Sequence, residues 1–578
     1  MEEESGLKVK KIKARYLLLC YRKRGCWHMR AIEAGLRILI ASGVKYVFGI
    51  PAGSINALYD SLMDLPELKP IVAKHETGAG YMAAAYTRIT GIPSLCVASS
   101  GPGATNLVTA AAHAWKEKLP VIFITGSVPL SKMGKGGAQE LNGEVLFTSI
   151  TKYNKTVIDA KELPAAIAEA YEIANSGVPG PVHLAIPIDI QMTEIDFDFE
   201  FQNIQKIAHP DPLDLVQLSE VTELLQSTGS RGTLLLGYGA KSAKAGIRAF
   251  AERTGWKVAT TPRGKGAFPE DHPLSLGVYG LSGNEQAISY LNGREYDLLF
   301  VIGSSLGELA TCNWSHALVQ GKKIVHLDYD VQVLGQNYIT DLTVCGAIPQ
   351  VMEYLLSTIP TKEAQTPINS LFPTKSKPLV EDTADWNTLN AISRISEFAP
   401  DHTRFYIDIG EFMTYSIQSI RIKEQQDFDI DINFGAMGSG IGGAIGAQLA
   451  EPHRQIICVT GDGCFFMHGL EILTAKQYGL PVIFFVINNA RLGMVHHGHL
   501  LQYKRCLADF SQTRVDIAAV AGALGIHYSQ VNSAKELQHL DMDYWFSRNE
   551  TTIIEIVVDG DEVPPMGERV KFLQGATN

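Results

Sequence analysis

Short runs of uninterrupted apolar residues recur along the chain, and stretches of helical periodicity lie between them. In a first block these runs are Lys45–Ile50, Pro70–Ala73, Pro93–Ser99, Val121–Thr125 and Val182–Ile186, with helical stretches at Thr77–Thr90 and Ala104–Lys118. A strand with no polar face must be covered on both sides. Strands alternating with helices provide that cover as parallel sheets with helices on each face. Gly232–Leu236, Leu298–Ile302 and Lys323–Leu327 repeat the pattern, with an amphipathic helix at Ser242–Thr254. Phe405–Ile409, Ile456–Val459, Val482–Ile487 and Thr552–Val557 form a third set. The expected fold is α/β, with three doubly wound parallel-sheet domains at 29–192, 212–356 and 386–578. Thr193–Asp211, acidic and without helical period, reads as a linker, and so does 357–385 with its four prolines. Residues 1–28 hold the basic segment Lys8–Arg24 but lack the apolar core and cleavage site of a secretory signal. They read as a tail outside the fold, which would begin at Met29.

Charge and cysteine usage narrow the function. A net charge of −11 argues against nucleic-acid binding, which needs a basic surface. No apolar run approaches the roughly 20 residues that span a bilayer. The eight cysteines are scattered, with no CxxC pair, so neither a zinc site nor a disulfide framework is indicated. A reducing, cytoplasmic setting fits best.

The most informative stretch runs from Ile456-Ile-Cys-Val-Thr-Gly461-Asp462-Gly463 to Val482-Ile-Phe-Phe-Val-Ile-Asn488-Asn489. Two buried strands end in polar residues, and Asp462 and Asn489 stand 27 positions apart. Both then lie at the carboxyl edge of one parallel sheet, where open α/β folds bind ligands. Mg²⁺ takes hard oxygen ligands and often combines one carboxylate with phosphate oxygens and water. Asp462 supplies charge, Asn489 a neutral carbonyl, and Gly461 and Gly463 let a phosphate approach the backbone. Gly-Asp-Gly alone is a common turn; the coupled strand ends are what carry the reading.

This pair resembles the diphosphate–metal motif of the thiamine diphosphate enzymes of the acetohydroxyacid (acetolactate) synthase and pyruvate oxidase type. The resemblance extends from about Met29 to the end of the chain. It implies a pyrimidine-binding, a central and a diphosphate-binding domain, with thiamine diphosphate and Mg²⁺ as cofactors. Asp462, Asn489 and the backbone carbonyl of Arg491 would hold the metal. Glu76, in Lys74-His-Glu-Thr-Gly-Ala-Gly80, matches the glutamate that protonates the aminopyrimidine and so activates the cofactor. On its own it would be an ordinary helix-start carboxylate. Ile409-Gly410-Glu411 resembles the loop that holds the diphosphate through backbone amides, although the family more often has Gln-His after that glycine. Met437, in Asn433-Phe-Gly-Ala-Met-Gly, matches the apolar residue beneath the cofactor; its neighbouring glycines would by default serve helix–sheet packing. Arg491-Leu-Gly-Met494-Val matches a further cofactor-side segment.

Substrate residues are harder to read. Ser99-Ser-Gly-Pro-Gly-Ala-Thr-Asn106 matches a family turn beside the cleft. Gln139 and Lys152 match a glutamine and a lysine that line the acetolactate synthase pocket, though a lone lysine is commonly a solvated surface residue. Three departures stand out. Gly498, in His496-His-Gly-His499, replaces the family's pocket Trp. Ala138 replaces the phenylalanine before the glutamine. Gly303–Glu308 lacks the arginines tied to flavin and second substrate, which puts FAD in doubt and leaves Arg263 as the nearest basic candidate for a substrate carboxylate. The histidines lack carboxylates at ligand spacing and read as a polar pocket edge rather than a metal site. The resemblance implies decarboxylation of a 2-oxo acid, pyruvate first, with carboligation to a second 2-oxo acid. The alternative is a specialised carboligase or non-oxidative decarboxylase with another donor or acceptor. Glu76 and Asp462 fall in different domains that the family brings together from two subunits, which implies a homodimer or homotetramer. Intact Glu76, Asp462 and Asn489 argue against a catalytically silent homologue.

Overall fold

The computed structural model describes residues 27–197, 214–360 and 386–566. They form three six-stranded sheets, each entirely parallel, with helices on the faces. From edge to edge the N-terminal sheet runs Lys69–Val72, Tyr46–Gly49, Ser94–Ala98, Val121–Ser127, Val182–Pro187, Tyr153–Thr156. The central sheet runs Ser275–Val278, Lys257–Thr260, Gly232–Leu236, Leu298–Ile302, Lys323–Asp328, Leu342–Cys345. The C-terminal sheet runs Asp427–Ile430, Arg404–Ile407, Ile456–Gly461, Ile483–Asn488, Thr552–Val557, His527–Val531. Ranked by chain order, the first and third sheets share the order 2-1-3-4-6-5, while the central sheet has 3-2-1-4-5-6, the order of dinucleotide-binding folds. The inner strands are the uninterrupted apolar runs: every residue of Val121–Ser127, Leu298–Ile302 and Ile483–Asn488 is buried.

The expected linker and the expected start both need correction. Trp27–Arg30 pairs antiparallel with Glu194–Phe197, and His28 is hydrogen-bonded to Glu194 and Asp196. The alternating acid and apolar residues of Glu194–Phe197 look like linker because, among the described side chains of this two-stranded ribbon, only Met29 and Ile195 are buried. Residues 1–26 and most of the two linker segments (198–213 and 361–385) lie outside the described residues, as do 567–578. The amphipathic segment Ser242–Thr254 starts as 3₁₀ turns over Tyr238–Ala243 and becomes α-helix only at Lys244–Thr254.

The first and third domains are joined by two helices, Glu76–Thr90 and Ser439–Ala450. A Cβ on Gly446 would stand 2.2 Å from the Met82 carbonyl oxygen, and one on Gly442 would stand 2.7 Å from Tyr81 Cβ. The glycines after Met437 therefore serve helix–helix contact between domains as much as the helix–sheet packing expected of them. Glu471 adds a polar clasp: it accepts from the backbone amides of Lys74 (3.0 Å) and His75 (2.8 Å) and from the Thr474 hydroxyl (2.8 Å). The loop that launches the Glu76 helix is thus held by the C-terminal domain.

Candidate active site

In the C-terminal sheet the winding reverses between Arg404–Ile407 and Ile456–Gly461, and ligands of open α/β sheets bind in the crevice outside such a point. Three helices start there, at Glu411, Asp462 and Gly493, directly after the strand ends or their short loops. Their free amides make this rim electropositive. Against that background stand two deeply buried acids. Asp462 is 4% exposed and Glu411 5% exposed, and neither forms an ion pair with a lysine or arginine among the described residues. Burial pushes the Asp462 carboxyl up to about 6 and the Glu411 carboxyl up to about 8, the latter aided by the nearby charge of Asp462. Ionising acids buried this deeply is costly, and a divalent cation would offset that cost while bringing ligands of its own.

The neighbours fit such an ion with a phosphate beside it. Asn489, 7% exposed, donates through Nδ2 to Glu411 and accepts through Oδ1 from the Arg491 amide at 3.0 Å. The Arg491 side chain pairs with Asp561, while its backbone amide bonds Asn489. Ala490, directly after two asparagines, has φ of 52°, a left-handed conformation in which its amide donates to Asn488 Oδ1 at 3.2 Å. A Cβ on Gly463 would touch Met437 Cε at 3.1 Å and Leu492 at 3.2 Å, so Met437 lies over the Asp462 turn; Met494 packs against the same apolar cluster. Cβ atoms on Gly410 and Gly461 would both enter the Phe412 ring, so neither position admits a side chain. Among the described residues no three His, Cys, Asp or Glu side chains are grouped to hold a metal alone. An ion here needs oxygens from elsewhere, and a diphosphate provides them.

Sequence reasoning missed Asp408. Fully buried, it accepts from the amides of Ile409 (2.8 Å) and Gly438 (2.8 Å) and from the Thr460 hydroxyl (2.9 Å), which pins the Met437 segment to the strand end. Burial pushes its carboxyl up to about 6. The available signal was its place at the end of a strand, directly before Ile409-Gly410.

At the N-terminal sheet, Glu76 is half-buried and accepts from Asn106 Nδ2 at 2.9 Å, so two sequence motifs meet. Gln139 is exposed, with φ of 64°, and its backbone lies against Gly101 of the same turn, 3.0 Å from where a Cβ would stand. Lys152 is not at this cluster. Its Nζ donates to the carbonyls of Ile173 (2.6 Å) and Ser176 (2.5 Å), neutralising the carboxyl end of helix Leu163–Asn175. Arg263 is also committed elsewhere: it pairs with buried Glu117 and lies over the Tyr238 ring at 4.6 Å. That pair lines a cavity of about 1050 Å³ where the central domain meets the other two. The three histidines diverge as well: His497 is bonded to the Gly560 carbonyl, His496 faces Cys506 and His499 meets the Arg505 carbonyl. No hydrogen bond or ion pair joins Glu76 to Asp462, Asn489 or Glu411 within the described residues of one chain.

Comparison with known proteins gives one picture. Residues 29–146 match "Thiamine pyrophosphate enzyme, N-terminal TPP binding domain", 218–355 the central domain and 408–556 the C-terminal TPP binding domain of the same enzymes. The probable acetolactate synthase large subunit of Methanocaldococcus jannaschii is 31% identical, the match covering 94% of this chain and 95% of that one. The acetolactate synthase isozyme 1 large subunit of Escherichia coli is also 31% identical, over 92% and 95%. In fold, the chain superposes on a thiamine diphosphate-dependent 4-hydroxybenzoylformate decarboxylase of Rhodococcus jostii with a TM-score of 0.82 at 20% identity, covering 92% of this chain and all of that one.

Proposed function

The chain belongs to the thiamine pyrophosphate enzymes, and on that premise we propose that it decarboxylates a 2-oxo acid, pyruvate, and joins the remainder to a second 2-oxo acid. The observation that carries the cofactor half of this reading is the pair of buried acids, Asp462 and Glu411, neither of which forms an ion pair with a lysine or arginine among the described residues. When bound, thiamine diphosphate supplies the carbon centre that holds the substrate carbonyl and takes up the electron pair released as CO₂ leaves. The protein's residues do the rest. Asp462, Asn489 and the Arg491 carbonyl hold Mg²⁺ against the diphosphate, while Gly410, Gly461 and Gly463 give it backbone contact. Met437 and Met494 form the apolar floor. Glu76, oriented by Asn106, holds and returns the proton that activates the aminopyrimidine. Gln139, beside the Ser99–Gly103 turn, borders the substrate.

The ligase half rests on relatives that match this chain over nearly their whole length and are named as acetolactate synthases. A homo-oligomer is part of the same reading: the family resemblance brings the domains of Glu76 and Asp462 together from two subunits, and no hydrogen bond or ion pair joins the two residues among the described residues of one chain. A second reading keeps the cofactor and changes the donor or acceptor; Gly498 and the arginine-free loop Gly303–Glu308 favour it. Proton NMR of pyruvate with the protein, thiamine diphosphate and Mg²⁺ separates the two. Acetolactate formed only with metal supports the first. Acetaldehyde, or unconsumed pyruvate with cofactor bound, moves the assignment to the second.

A further inference from the structure

Glu411 stands where glutamine is the commoner residue of the family, and the exchange of amide for carboxylate has structural consequences. It opens the helix Glu411–Ser419 directly after Gly410, and is 5% exposed. One oxygen, Oε1, accepts from Asn489 Nδ2. The amide of Asn489 is thereby fixed at both ends, since Oδ1 accepts from the Arg491 amide at 3.0 Å. Turning the amide over would set its oxygen against the carboxylate and its NH₂ against an N–H. Both contacts would be repulsive. A glutamine at this position could present either end of its own amide and would impose no such choice.

The second oxygen, Oε2, is buried and has no hydrogen-bond partner. His497 Nε2 lies 3.6 Å away, but that nitrogen is engaged with the Gly560 carbonyl at 3.0 Å. In the ionised carboxylate, Oε2 is a buried acceptor whose lack of a donor costs about 1–3 kcal/mol, and a donor beside it would relieve that cost. Ionised diphosphate oxygens are acceptors and cannot serve. Water on a divalent ion can, because Mg²⁺ keeps part of its hydration shell and polarises those protons outward. Resting on the metal site proposed above, we propose that Glu411 is its positioning residue: it turns the Asn489 carbonyl toward the ion and accepts a hydrogen bond from a water bound to that ion.

Mn²⁺ affinity of the full chain, measured by electron paramagnetic resonance with saturating thiamine diphosphate, tests this. E411Q should raise the Mn²⁺ dissociation constant about 10-fold or more, the usual effect of losing an outer-shell partner, with no fall in the thermal midpoint of the metal-free protein, from which a costly buried acid has been removed. Wild-type Mn²⁺ affinity in E411Q overturns the proposal. D462N separates the possibilities: if it weakens Mn²⁺ and E411Q does not, only the role of Glu411 fails. If neither weakens it, the metal reading itself has failed. Should E411Q not fold, proton electron–nuclear double resonance on wild-type protein decides: an exchangeable water on bound Mn²⁺ is required, and its absence refutes the assignment.

Discussion

The first and last domains are wound in the same strand order, yet their binding edges are finished differently. In the C-terminal domain Asp408, Asp462 and Glu411 are buried acids with raised pKa values, and the last two have no lysine or arginine paired to them among the described residues. In the N-terminal domain the corresponding edge is nearly neutral: Glu76 is held by a neutral amide, Gln139 is exposed, and the one lysine read as a pocket residue caps a helix instead. The same scaffold thus offers one edge waiting for a cation and one that presents a single carboxylate on a small-residue helix. The difference teaches that the sheet supplies the location, while the charge left unbalanced there decides the ligand.

Substitutions at the two edges should separate in kind. Glu76→Gln should lower turnover by about 10²–10⁴, the span of general acid–base catalysis, with cofactor affinity changed no more than a few-fold. Asp462→Asn should do the reverse in binding, weakening divalent-ion affinity by more than about 100-fold, beyond an outer-shell loss. Steady-state kinetics and equilibrium binding on the same preparations check both. If Glu76→Gln lost the cofactor, or Asp462→Asn kept it, the division between the edges would collapse.

Two buried groups, one in each domain, should also respond oppositely to pH. His183, stacked on Phe147 at 4.0 Å and 2.9 Å from the Thr125 hydroxyl, is pushed by burial down to about 3. Its folded pKa lies below its unfolded value of about 6.5, so its contribution is present above that pH and is lost as pH falls toward 3. Asp462 has the opposite sign. Its carboxyl rises from 3.8 to about 6, so in the metal-free chain stability is lost as pH rises across that interval and the loss is complete above it. The penalty is on the order of 3 kcal/mol, at about 1.4 kcal/mol per pK unit. Mg²⁺ with thiamine diphosphate should therefore raise the thermal midpoint more at about pH 7.5 than at about pH 5. An equal rise at both would remove Asp462 from the binding step.

Smallest in effect is Lys152→Met. Losing its bonds to the Ile173 and Ser176 carbonyls should cost about 1 kcal/mol of stability, discounted for partial exposure, with KM within about 2-fold of wild type. A KM increase of 10-fold or more at unchanged stability would return Lys152 to the pocket.

What the sequence made legible follows from which forces act locally. Inner strands such as Leu298–Ile302 and Thr552–Val557 read directly, since burial on both faces permits only apolar residues. Of the edge strands only Lys69–Val72 was legible, as the run Pro70–Ala73; the others were not. Asp427–Ile430 alternates acids with apolar residues, and its acids are balanced by Arg404, Lys244, Lys241 and Arg454 from elsewhere in the chain. Nothing local announces that pairing. The same holds for the site. Asp462, Asn489, Gly410 and Met437 converge because strand ends of one sheet must lie together. The clasp of Glu471 on the Lys74–His75 loop, and the turning of Lys152 toward a helix end, depend on contacts distant in sequence that no motif records.

The central claim is that the C-terminal edge is a divalent-ion and diphosphate site. Isothermal titration of thiamine diphosphate into the metal-free chain, repeated with Mg²⁺, tests it most directly. The account predicts binding at least about 100-fold tighter with Mg²⁺, and none with thiamine, which lacks the phosphates. Equal affinity with and without the ion, or tight binding of thiamine alone, would contradict it.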